Sequence, residues 1–152
     1  MPQISIAVES PDQPEVIALL EASDIYTAAL YPAESNFLFS LEELQEDGVS
    51  FLVARLDGEI CGCAAFVKKA GDWGEIKRMF VDEKARGHRL GKRLLEALED
   101  QARRQGMKMV RLETGIHQPE ALSLYRGAGY VDIGPFGDYP PDPVCVFMEK
   151  KI

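Results

Sequence analysis

The sequence predicts a mixed α/β domain: a mostly antiparallel sheet of about seven strands, with a central parallel strand pair and helices on both faces. Three observations carry that expectation. Apolar runs at 50–56 and 59–68 flank Asp57-Gly58, a dipeptide that turns a tight hairpin. A third run at 73–81 follows Gly71-Asp72, so three strands in a row make an antiparallel meander. That third strand leads through a basic, glycine-containing turn into a long amphipathic helix and then a further strand, a unit that requires its two strands to lie parallel.

Composition sets the outer bounds. The 152 residues make one domain, 1–152, large enough for a real core. Hydrophobic content of 46% and charged content of 28% are ordinary for a globular protein. A net charge of -8 argues against nucleic acid and for a neutral or cationic partner. No basic stretch followed by an apolar run opens the chain, and no segment has the length of apolar sequence that crosses a bilayer, so a cytoplasmic protein with no membrane partner is expected. Cys61, Cys63 and Cys145 read as reduced thiols. With only His88 and His117 besides, no metal site is expected.

Taken in order, residues 3–8 form a first strand and 11–22 a helix with Val16, Ile17, Leu19 and Leu20 on its apolar side, Ser10 as N-cap and Pro11 in the first turn. Residues 23–40 hold Tyr26, Tyr31, Phe37 and Phe39 without a sustained period, broken by Pro32. Aromatics on an irregular segment either line a small-molecule pocket or plug the core beneath a loop. Residues 41–46 form a short helix at most, closed by Asp47-Gly48. After the meander, Leu90, Leu94, Leu95, Leu98 and Ala102 recur at the spacing of a buried helical stripe that ends at Gly106. Residues 108–114 alternate Val110, Leu112 and Thr114 against Arg111 and Glu113, as a strand does. A helix over 119–128, a short strand over 130–133, a long turn over 134–143 and a strand over 144–150 complete the chain, with no internal repeat or linker.

The chemistry concentrates in Arg86-Gly87-His88-Arg89-Leu90-Gly91-Lys92. A nucleotide-triphosphatase loop needs four residues between its glycines and a hydroxyl after the lysine; here three residues intervene and Arg93 follows Lys92. A dinucleotide fingerprint needs three glycines after a first strand and also fails. Lys84, Arg86, His88, Arg89, Lys92 and Arg93 crowd a helix start, where the helix dipole disfavours cations. That arrangement suits an incoming anion, best a phosphate.

The segment Arg86 to Gly91 resembles the acyl-CoA-binding signature of the GNAT acetyltransferase superfamily: Arg or Gln, two residues, Gly, one residue, then Gly or Ala. Gln118-Pro119-Glu120-Ala121-Leu122-Ser123-Leu124-Tyr125, followed by Gly129-Tyr130, resembles a second family segment, and the element order matches over essentially the whole chain. Two departures stand out: Arg89 where the family usually has a glycine, and Gln118 where it usually has Asn. The resemblance implies an acetyl-CoA-dependent N-acetyltransferase that moves an acetyl group to a primary amine of a small molecule, an amino acid or another small amine, by direct attack in a ternary complex.

It also implies roles. Backbone groups of Met79, Phe80 and Val81 would bond the pantetheine arm of coenzyme A as an added strand. The pyrophosphate would rest on N–H groups from His88 to Lys92, so Arg86, Gly87, His88, Arg89, Leu90, Gly91, Lys92 and Gln118 are expected to bind the cofactor. A backbone N–H near Phe80 would serve as an oxyanion hole when a tetrahedral intermediate forms. Glu75 is expected as the base that deprotonates the amine, and Tyr125 as the acid that protonates the leaving thiolate. The competing readings are a strand carboxylate paired with Lys77 or Arg111 and a helix aromatic packed on the sheet. Tyr26, Tyr31, Phe37 and Tyr139 are expected to line the acceptor pocket. Net acidity favours a cationic amine, while Lys77 and Arg78 favour an acceptor that also bears a carboxylate. The alternatives are a CoA-binding module without catalysis and acetylation of a protein amine, and a homodimer paired through edge strands is a further expectation.

Overall fold

The computed structural model describes residues 2–37 and 39–152. Its strands are β1 (Ile4–Val8), β2 (Val49–Leu56), β3 (Glu59–Lys68), β4 (Trp73–Val81), β5 (Met109–Gly115), β6 (Val131–Ile133) and β7 (Cys145–Lys151). Its helices are α1 (Pro14–Leu30), α2 (Leu41–Leu44), α3 (Leu90–Arg104) and α4 (Pro119–Gly127). The strands form one seven-stranded sheet in the order β1-β2-β3-β4-β5-β7-β6, antiparallel everywhere except between β4 and β5. No helix among the described residues is long and apolar enough to cross a membrane.

The central strands are buried on both faces, and their alternation sorts residues into two layers. Phe51, Val53, Cys63 and Ala65 pack against Val16, Leu19 and Leu20 of α1 and Leu44 of α2. Leu52, Ala54, Ala64 and Phe66 pack with Leu90, Leu94, Leu95 and Leu98 of α3 on the other side. Gly74 admits the Phe66 ring: a Cβ there would fall 2.2 Å from it.

The first helix differs from the expected 11–22 at both ends. Ser10 Oγ accepts the N–H of Asp12 in a local turn, Gln13 becomes the N-cap, and Pro14 rather than Pro11 takes the first helical turn. The helix then runs on to Leu30, carrying Tyr26 with it. It stops where it does because Tyr31 precedes Pro32, and a residue before proline is driven out of the helical region; Tyr31 has φ -132 and ψ 148.

Two local irregularities prepare the site. β4 and β5 pair only from Trp73↔Met109 to Ile76↔Leu112, although both strands continue beyond. Past that point they splay apart. On its other side β4 pairs Lys77 with Ala65 and Phe80 with Cys63, so Arg78 and Met79 together oppose Ala64 in a β-bulge. Arg78 sits in this bulge at φ 54, a conformation costly for a residue with a side chain.

Candidate active site

A long groove and a smaller cavity meet at the splay. The groove, about 790 Å³, is walled by Met79, Phe80 and Val81 of β4, by Arg86, Gly87, Arg89, Leu90 and Gly91 at the start of α3, and by Gln118 at the start of α4. These are residues expected to hold the cofactor; His88 and Lys92 lie outside the wall. Arg89 is the N-cap of α3 at φ 55, no side chain caps the helix, and its first turn holds no acidic residue. The leading N–H groups of α3 therefore point outward without a partner from the chain's own side chains, as an anion cradle requires. Arg86 reaches over this opening to Glu120 at 3.4 Å, an exposed ion pair that yields readily to a stronger anion. The unpaired edge of β4 beyond Ile76 offers backbone donors and acceptors to an extended chain. These features fit the diphosphate and amide-bearing arm of coenzyme A.

The cavity, about 130 Å³, opens beside the same gap. Tyr31 and Phe37 line it as expected. Tyr26 instead belongs to the groove, tilted against Phe80 at 6.2 Å between ring centres. Tyr139 is set one layer back, edge-on to Phe37 at 5.2 Å and to Phe136 at 5.2 Å. The Tyr31 hydroxyl donates to Gln118 Oε1 at 3.0 Å and accepts the N–H of His117 at 3.1 Å, which fixes the end of α1 to the start of α4. Gly115 makes room for that phenol: a Cβ there would lie 1.9 Å from its oxygen. Met79, Gln118, Ala121 and Tyr125 face both spaces. Tyr125 is buried, its hydroxyl donates to Met79 Sδ at 3.3 Å, and burial, with the Glu113 charge adding to it, raises its pKa above the ordinary phenol value.

Glu75, Lys77 and Glu113 share the sheet face opposite α3, because Ile76, Leu112 and Thr114 alternate with them and point into or toward that helix layer. The two carboxylates differ sharply. Glu75 is 3% exposed and absent from the cavity wall. Tyr139 donates to its Oε2 at 2.5 Å, Lys77 Nζ stands 3.4 Å from the same oxygen, and Lys69 Nζ lies 3.9 Å from Oε1. Lys77 Nζ also donates to the Tyr139 hydroxyl. Of the two competing partners only Lys77 pairs with Glu75; Arg111 pairs with Glu149 at 3.2 Å and stacks over Trp73 at 4.6 Å.

Glu113 lines the cavity at the first β5 position beyond the last parallel pair. Burial pushes its carboxyl up to about 7, with Lys77 and a bond from the Cys145 thiol pulling in the other direction. Sequence reading did not single it out. The signal was present in the alternation of 108–114, which sets Glu113 on the face of Lys77. Ser23 and Thr27 also reach the cavity, carried there by the unexpected length of α1.

Comparison with known proteins agrees with this geometry. A family model described as Acetyltransferase (GNAT) family matches residues 16–130. The chain is 49% identical to an IAA acetyltransferase of Azospirillum brasilense over the full length of both. A crystal structure from Klebsiella pneumoniae subsp. pneumoniae superposes with a TM-score of 0.87 at 39% identity, covering 98% of this chain and 97% of that one. The fold also recurs, at 22% identity and a TM-score of 0.78 with 99% of each chain covered, in a Thermoplasma acidophilum PaiA N-acetyltransferase solved with coenzyme A. The chain therefore belongs to the GNAT acetyltransferase family and is an acetyltransferase with acetyl-CoA as its cosubstrate.

Proposed function

We propose that the amine of a small acceptor, seated in the cavity, attacks directly across the splay, with Glu113 taking the amine's proton and Tyr125 returning one to the departing thiolate. The observation that carries this reading is the position of Glu113: a half-buried carboxylate on the cavity wall, at the mouth of the β4–β5 gap, in electrostatic reach of Tyr125.

Acetyl-CoA supplies the thioester carbon. The chain's residues supply the rest. Lone N–H groups of α3 hold the diphosphate, and the open edge of β4 at Met79, Phe80 and Val81 aligns the arm, with a backbone N–H near Phe80 directed at the carbonyl oxygen as it takes up charge. A carboxyl titrating near neutrality is suited to proton removal, since it is ionised at working pH and still basic enough to accept. As the amine loses its proton to Glu113, the new N–C bond forms and the C–S bond breaks. The Tyr125 hydroxyl, held neutral by burial, is the ionisable donor that faces both spaces.

This reading moves the base from Glu75 to Glu113. Both oxygens of Glu75 are engaged and the group is screened from the cavity by Tyr139 and Lys77, so it acts as a positioning residue that fixes Lys77 and Tyr139. The small volume favours a free small molecule over a protein side chain. The sheet's two end strands, β1 and β6, are available for pairing with a second copy, which light scattering reads directly.

The test is thiol release from acetyl-CoA with a panel of small primary amines as a function of pH. In the wild type kcat/KM should climb with a slope of one and level off near pH 7, and the climb should vanish in Glu113→Gln. Turnover abolished in Glu75→Gln but retained in Glu113→Gln would return the base to Glu75. Tight CoA binding with no turnover of any amine would favour a sensor or assembly module instead.

A further inference from the structure

We infer that the acceptor carries an acidic group as well as its amine, and that Lys77 and Arg78 read that group from the β4 wall while Glu113 receives the ammonium on the β5 wall. The inference rests on the acyl-transfer reading above and narrows its substrate class to compact amino acids.

The β4 wall is unusual in its charge and its geometry. Four consecutive residues, Ile76, Lys77, Arg78 and Met79, line one cavity. Regular alternation would divide them between the two faces of the sheet. The bulge at Arg78 prevents that and brings two cations to one side.

Both cations are deeply placed: the side chains of Lys77 and Arg78 are 14% and 7% exposed. Each is neutralised from behind. Arg78 Nη1 donates to Asp24 Oδ1 at 2.6 Å and Nη2 to the Leu20 carbonyl at 3.2 Å; Lys77 faces Tyr139 and Glu75. Neither exhausts its donors. An ammonium has three N–H groups and a guanidinium five. Arg78 Nε is buried with no hydrogen-bond partner among the described residues. A buried donor left unmatched costs free energy and is retained chiefly where a ligand or strained backbone has a use for it. At Arg78 the strained backbone and a place on the cavity wall coincide.

Across the gap stands the opposite charge. Glu113 makes no ion pair among the described residues, although the Lys77 charge acts on it, and a thiol is its polar contact. Donors on one strand and an acceptor on the next, just where neighbouring strands widen beyond their usual ~4.8 Å separation, match the two ends of a zwitterion. An acceptor with an amine alone would leave the β4 donors unused. One with an acid alone would meet Glu113 unfavourably.

Size completes the class. A cavity of about 150 Å³ holds a six-carbon ring. At about 130 Å³ this cavity suits acceptors of roughly five to seven non-hydrogen atoms. Glycine, alanine, β-alanine and serine fall in that range.

The experiment measures thiol release for those four amino acids, each against its own amide and against ethylamine, with saturating acetyl-CoA. In the wild type kcat/KM for at least one amino acid should exceed that for its amide and for ethylamine by tenfold or more. Propionate should compete with the acceptor and not with acetyl-CoA. In Lys77→Met and in Arg78→Gln the ratio of acid to amide should fall to within about threefold and propionate inhibition should weaken in step, while CoA affinity and a cooperative melt report an intact fold. Should either variant fail to fold, the wild-type ratio and the propionate competition decide alone. Amides or ethylamine turned over as well as the amino acids, or propionate without effect, would overturn the inference and leave the acyl-transfer reading standing. No turnover of any acceptor beside normal CoA binding would remove the acyl-transfer reading itself.

Discussion

The groove and the cavity meet at Tyr125 and are built from different materials. The groove is about six times larger by volume, 790 against 130 Å³, and its working surface is backbone: the bare N–H groups of α3 and the unpaired edge of β4. The cavity's working surface is side chains brought from α1, β4, β5 and the start of α4. A backbone surface recognises what every acyl-CoA shares and is insensitive to most substitutions. A side-chain surface is specific to one acceptor and can be altered at any of its members. Substitutions should therefore act strongly on the cavity side of Tyr125 and weakly on the groove side.

The largest effect is expected at Glu113. Glu113→Gln should lower kcat/KM by about 10²–10⁴, the span of a positioned general base, with CoA affinity unchanged in a calorimetric titration. Tyr125→Phe should reduce kcat by a factor toward the lower end of that span, since water entering the groove can protonate a thiolate in its place. An equal loss of CoA binding in either variant would break the division between the two spaces.

Two glycines give the next contrast. A Cβ at Gly115, in the cavity, would overlap the Tyr31 hydroxyl at 1.9 Å; one at Gly91, in the groove, would meet only Leu124 Cδ2 at 3.2 Å. Tyr31 is held by Gln118 and His117 and cannot turn aside cheaply, whereas the end of a leucine can shift. Gly115→Ala should cost about 2 kcal/mol, as overpacking does, and raise the acceptor KM. Gly91→Ala should change CoA affinity by less than about threefold, because no N–H is lost and alanine favours the helix. Denaturant melts and titrations of the two variants side by side would measure the difference.

The same contrast governs what the sequence disclosed. The meander, the α3 stripe and the phosphate turn depend on contiguous residues: Asp57-Gly58, Leu90 to Ala102, Arg86 to Gly91. Their physics is local, so periodicity and turn chemistry reveal it. The cavity depends on contacts that sequence distance conceals. Tyr139 bonds Glu75 from 64 positions away, and Tyr31 bonds Gln118 from 87. Helix α1 runs past its apolar period because Ser23 and Thr27 face the polar cavity, Asp24 pairs with Arg78 and Tyr26 faces the groove, so that end of the helix does not meet core. The surroundings of Glu75 show the limit plainly. Strand position placed it on the correct face, but nothing in the sequence says that a tyrosine from the 134–143 turn will cover it.

Glu113 makes a further prediction that involves no substrate. Its carboxyl is raised from 4.5 to about 7, so in the folded chain it holds its proton more tightly than in the unfolded chain. Relative to a variant without the charge, the protonated carboxyl costs nothing below pH 4.5, and a cost builds as pH rises from there and is complete once pH has passed 7. Glu113→Gln should thus be more stable than wild type above pH 7, by roughly 3 kcal/mol, and the gap should close toward pH 4.5 in denaturant melts. A gap independent of pH would mean that the cavity wall tolerates the ionised group without strain. The cavity would then resemble the groove in being well solvated.

The smallest expected effect lies at Arg89, where the groove departs from a glycine. Its φ of 55 is one that a side chain disfavours by roughly 1–2 kcal/mol. Its side chain is exposed and caps nothing. Arg89→Gly relieves the strain but adds freedom to the unfolded chain, a cost of about 0.5–1 kcal/mol, so the net gain in stability should be at most about 1 kcal/mol. If the groove grips phosphate by backbone alone, CoA affinity should stay within about twofold at every ionic strength. A loss that grows as salt is lowered would show that the guanidinium reaches the phosphates directly. The strained position would then owe its arginine to binding, and the backbone surface would have one side chain that matters.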